Sequence, residues 1–124
     1  MITFRKPRKK DSLEGLRESH MKNLMVLSEA DGHLAEIEEH LVMSIALRLG
    51  LTEDDVARIR ADIDTISFVL PEKYDDRIEQ FTDLLTLVAI DGVIDPNEER
   101  YIRKIARKYE LMEQQVEELI QQYL

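Results

Sequence analysis

Two short stretches hold the side chains that could do chemistry. Asp31, Gly32 and Glu38 form one set, and Asp91, Gly92 and Glu98 form the other. Both read Asp-Gly-x-[Leu/Ile]-x-x-x-Glu, with Leu34 and Ile94 at the apolar position. Carboxylates, together with the free carbonyl oxygens where a helix stops, are what a hard divalent cation binds. An Asp in the last turn of a helix faces the negative end of the helix dipole, at a cost of about 0.3–1 kcal/mol when exposed. A bound cation removes that cost, and Asp31 and Asp91 make the same placement twice, 60 positions apart. The candidate metal ligands are therefore Asp31, Glu38, Asp91 and Glu98, with Asp95 or Glu39 as further oxygen donors. Calcium, magnesium or manganese suits such a set better than zinc does.

A capping reading competes for part of the pattern. Asp95-Pro96-Asn97-Glu98 is a helix start in which Asp95 and Glu98 exchange side-chain and backbone hydrogen bonds, with Pro96 at the first helical position. Gly92 suits a positive φ after the preceding helix. In the first stretch Ala35 and Glu36 stand where Asp95 and Pro96 stand, yet Asp31, Gly32 and Glu38 are retained. A true EF-hand loop is excluded. Its first two ligand positions would fall on Leu87 and Ala89, or on Leu27 and Glu29 in the first stretch. Such a partial ligand set needs completion by water, by backbone carbonyls or by the other stretch.

The elements that position these acids are themselves duplicated. Slid along itself by 60 places, the chain shows twelve identities over positions 17–56, among them Leu24/Leu84, Asp31/Asp91, Glu38/Glu98, Ile45/Ile105 and Val56/Val116. Each copy reads as helix, Asp-Gly turn, helix, short link, helix. Leu13, Leu16, His20, Leu24 and Leu27 lie on one predicted face, with Ser12 as N-cap. Leu34, Ile37, Leu41, Ile45 and Leu49 form a second stripe, ended by Gly50. Thr52 caps a third helix, with Asp55 in its first turn and Val56, Ile59, Ile63 and Ile66 along it. Pro71 breaks the chain at Leu70. Ile78, Phe81, Leu85 and Val88, then Ile102, Ile105 and Tyr109, then Val116, Leu119, Ile120 and Tyr123 repeat the plan. The expected fold is all-α, a single bundle of about six helices in two pseudo-symmetric halves, 12–66 and 72–124, behind a basic tail over 1–11.

The doubled Asp-Gly-x-[Leu/Ile]-x-x-x-Glu between amphipathic helices, in an acidic chain of this size, resembles the TerB-like domain of the tellurite-resistance proteins. Related domains occur in membrane-tethered DnaJ-type co-chaperones. The resemblance covers residues 12 to 124. It implies a helical bundle with internal two-fold pseudosymmetry and a metal site at the Asp-Gly turns, carried here by Asp31, Glu38, Asp91 and Glu98. Ala35, where a capping residue usually stands, is a departure from the pattern. Tellurite resistance does not follow from the resemblance alone.

Composition narrows the remaining possibilities. The 124 residues suffice for one core, and 44% are hydrophobic. Without cysteine there is no disulfide or thiolate chemistry, which suits a cytoplasmic setting. The net charge of −9 opposes nucleic acid as a partner for the folded domain. Arg5, Lys6, Arg8, Lys9 and Lys10 carry the N-terminal tail, and without those five positive charges the rest stands at −14. No apolar run reaches the ~20 residues of a membrane span.

No catalytic framework is recognisable, so an enzyme is not expected. Gly-x-Ser-x-Gly, phosphate-loop and His-Glu-x-x-His patterns are all missing. His20 reads as a packed or half-exposed imidazole. His33, Glu36 and His40 form only a weak alternative metal set. Met21, Met25 and Met43 read as core filler or as an adaptable groove for a partner helix. The alternative function is thus a metal-free interaction adaptor. The C-terminal helix either closes the core or pairs with a second copy to give a homodimer.

Overall fold

Helix starts and stops in this chain are written in local chemistry. Thr52 accepts from the Asp55 N–H (3.1 Å) and Asp55 accepts from the Thr52 N–H (2.8 Å), closing the predicted cap reciprocally. Asp95 accepts from the Asn97 N–H (2.7 Å), while Glu98 Oε1 accepts from the Asp95 N–H (3.0 Å) and Pro96 occupies the first turn. At the other ends, Gly50 (φ +83°) and Gly92 (φ +75°) take the left-handed conformation expected of them. The Leu51 N–H reaches back to the Ala46 carbonyl (2.9 Å), satisfying an otherwise orphaned acceptor of the helix before Gly50.

A computed structural model describes residues 13–30, 36–90 and 92–124. Among these residues the chain forms six α-helices and no strand. They are α1 (Gly15–Ser28), α2 (Glu36–Arg48), α3 (Glu53–Ala61), α4 (Tyr74–Ala89), α5 (Pro96–Lys108) and α6 (Glu113–Tyr123). Helices α2 and α5 begin and end 60 residues apart, and α3 and α6 begin 60 apart, the offset read from the sequence.

Helices α1 and α4 pack on each other at the centre. Helices α2 and α3 flank α1, while α5 and α6 flank α4. The central pair supplies Met21, Leu24, Met25 and Leu27 from one side and Phe81, Leu84, Leu85, Leu87 and Val88 from the other. Val42, Ile45, Ile102, Ile105 and Tyr109 close over them. Burying each such side chain stabilises the fold by roughly 1.5–3 kcal/mol. Met21 and Met25 are core, as expected, whereas Met43 is only half-buried. Leu119, Ile120 and Tyr123 pack against the core from α6.

Three expectations need correction. Ile37 is 48% exposed, and the buried positions of α2 are Glu38, Val42, Ile45 and Ala46. From Leu41 to Leu47 every residue of α2 but Ser44 is apolar, so a four-residue spacing alone does not select the buried face. The third helix stops at Ala61; Ile63 lies in a 3₁₀ turn (Ile63–Thr65), Ile66 is extended, and the chain from there to Pro71 has no regular secondary structure. Lys22 Nζ donates to the Ile66 carbonyl (2.8 Å), and the Val69 N–H donates to Ser19 Oγ (2.8 Å), so α1 holds this segment in place of further helix. Leu13 is exposed rather than part of the α1 core stripe. The tail over 1–11, the Ser12 cap and Leu34 fall outside the described residues.

Candidate functional site

Two of the four predicted ligands can be placed. Glu38 sits in the first turn of α2 and Glu98 in the first turn of α5, at the same register of two helices of equal length. Both are buried, at 2% and 3% exposure. Asp31 and Asp91 lie outside the described residues, as does His33. The described helices before them end at Ser28 and Ala89; the last-turn placement expected for both aspartates lies outside the described residues.

A carboxylate buried this deeply must be matched by hydrogen bonds, by a helix terminus or by a cation. Glu98 has one such match in the Asp95 N–H. The positive ends of the α2 and α5 dipoles favour both glutamates as anions. Glu39, named as a further donor, is engaged elsewhere: one terminal nitrogen of Arg60 donates to both of its oxygens (3.0 and 3.1 Å). Asp95 is committed to the α5 cap. Glu38 and Glu98 are the predicted donors that are buried among the described residues. Glu36 and His40, the weak alternative set, are exposed. Among the described residues no three His, Asp or Glu side chains converge as a metal cluster.

Two polar networks in the centre were not foreseen. His20, 1% exposed, shares a 2.8 Å hydrogen bond through Nε2 with Asp83 Oδ2. Arg48 grips the same carboxylate with both terminal nitrogens (2.6 and 3.3 Å). Burial pushes the Asp83 carboxyl up, but the hydrogen bonds from His20 and Arg48 outweigh it and hold the group below the usual carboxylate range. Nearby, the Tyr109 hydroxyl donates to Gln80 (2.8 Å) and accepts from Asn23 (3.4 Å), and Tyr101 donates to Asn23 (3.3 Å). Desolvation raises both phenols, that of Tyr101 to about 12. The sequence carries no signal for the first network, because His20 and Asp83 lie 63 residues apart.

No helix among the described residues is long and apolar enough to cross a membrane. No family profile, no curated protein and no solved structure matches this chain.

Proposed function

We propose that this chain is a non-enzymatic, TerB-like helical module that binds a divalent cation at its two Asp-Gly turns. Asp31, Glu38, Asp91 and Glu98 supply the oxygens. The reading rests on one observation above all: Glu38 and Glu98 occupy the same register of α2 and α5, and both are almost fully buried. An all-oxygen, anionic donor set fits calcium, magnesium or manganese. The cytoplasm is the setting assigned, and a role in tellurite resistance or stress response comes from the family resemblance alone.

Calorimetric titration with calcium and with manganese tests the reading. Heat of binding in the unaltered chain, lost in the double variant Asp31→Ala, Asp91→Ala, is the expected result. No heat with either ion, or heat unchanged in the variant, refutes it.

A second reading, the metal-free interaction adaptor, is favoured by the hydrogen bond from the Asp95 N–H to Glu98, which gives that glutamate a purely structural task. It requires that a chelator leave the melting temperature untouched and that Asp91→Asn leave partner binding unaltered.

A further inference from the structure

The two halves of the chain differ where they should be alike. Helices α5 and α6 enclose a groove of about 270 Å³ lined by Arg103, Val116 and Glu117 among others. Arg103 crosses it to pair with Glu117 and also holds Glu99 on its own helix (3.5 Å). That ion pair ties the two helices together across the groove. Sixty residues earlier, Met43 stands in place of Arg103 and Ala57 in place of Glu117. No ion pair can form at those two positions; the tie between α2 and α3 is instead Arg60–Glu39 at one end of the corresponding groove, which is about 550 Å³. Its floor is Met43, Val56, Ala57 and Ala61. Leu47, four residues after Met43 and 63% exposed, extends the apolar wall where α5 carries Arg107.

We propose that the α2–α3 groove docks a basic amphipathic helix from a partner protein. Two alanines on α3 leave room for large apolar side chains of an incoming helix, and Met43 adapts to their shape. The charge around the groove selects the flanks of that helix. Arg60 is spent on Glu39 (3.0 Å) and Glu29 (3.4 Å) at one end, which leaves exposed Glu53 to face the partner at the other. The chain as a whole carries −9, which steers a cationic helix in and opposes a second copy of itself. The site is independent of the Asp-Gly turns and of any cation there.

A fluorescent peptide of leucine and lysine in helical register, with a leucine–glutamate peptide of the same pattern as control, tests this on the full chain. Met43→Arg with Ala57→Glu recreates that ion pair without changing net charge, so a merely electrostatic attraction would survive it. The expected result is saturable binding of the lysine peptide, weakened at least about tenfold by the double variant. Thermal melting should stay unchanged. Ala61→Phe, which fills the groove sterically, should weaken binding similarly and serves if the double variant melts early. The proposal is overturned if the lysine peptide does not bind, if both forms bind it equally, or if the glutamate peptide binds as well. It is also overturned if the chain alone sediments as a dimer that the double variant dissociates.

Discussion

Replacing Asp83 by Asn isolates the electrostatic tie between the central helices and the end of α2. The side chain keeps its shape but loses its charge. It then no longer matches both the buried His20 nitrogen at 2.8 Å and the Arg48 fork at 2.6 and 3.3 Å. Arg48 is half exposed, so its share is worth only about 0.5 kcal/mol. The larger share is the hydrogen bond to His20, whose other ring nitrogen is already buried without a partner. Removing a charge-assisted acceptor from such a group costs roughly 2 kcal/mol. The total of about 2–3 kcal/mol lowers the melting temperature by about 8–12 °C in a chain of this length.

The pH dependence has a definite sign. The folded Asp83 carboxyl is depressed below its unfolded value, so its stabilisation is complete above the ordinary carboxylate range and fades as pH falls through the folded value. Urea unfolding at pH 7 should therefore separate Asp83→Asn from the unaltered chain fully. At pH 3, below the ordinary carboxylate pKa of about 3.9, the gap should have narrowed. Arg48→Met should cost less than about 1 kcal/mol at either pH. A gap that is the same at pH 7 and pH 3 would refute the reasoning, as would an Arg48 variant as damaging as the Asp83 one.

Two further outcomes are expected. Tyr109→Phe leaves Gln80 and Asn23 without their shared hydroxyl in the centre of the protein and should cost roughly 1–2 kcal/mol by denaturant titration, with the slope unchanged. Gly50→Ala meets no steric obstacle but must hold a left-handed φ, and so should cost about 1 kcal/mol, seen as an earlier thermal midpoint.

What could be read from residues alone was mostly local. The caps at Thr52 and Asp95, the turns at Gly50 and Gly92 and the 60-residue spacing of helices depend on neighbours within a few positions, and they came through. The facing of α2 did not. Ile37 looks like a core residue, while Glu38 looks like surface, and only packing against α1 and α4 turns Val42 and Ala46 inward. The end of α3 was missed for the same reason: Ile63 and Ile66 keep helical spacing, but α1 holds the following segment outside any helix. Of the candidate site, the burial of Glu38 and Glu98 was not legible, because a carboxylate carries no sequence mark of being enclosed. His20 and Asp83 are 63 residues apart, and a hydrogen bond of that reach has no local signature.

The arrangement around α1 and α4 has a mechanical corollary. Each outer pair leans on the inner two helices far more than on the other outer pair. A pull on α2 and α3 by an incoming protein reaches α5 and α6 mainly after passing through that shared spine. One flank can therefore loosen or clasp while the opposite flank stays put, and the amides of the spine should be the last to exchange with solvent.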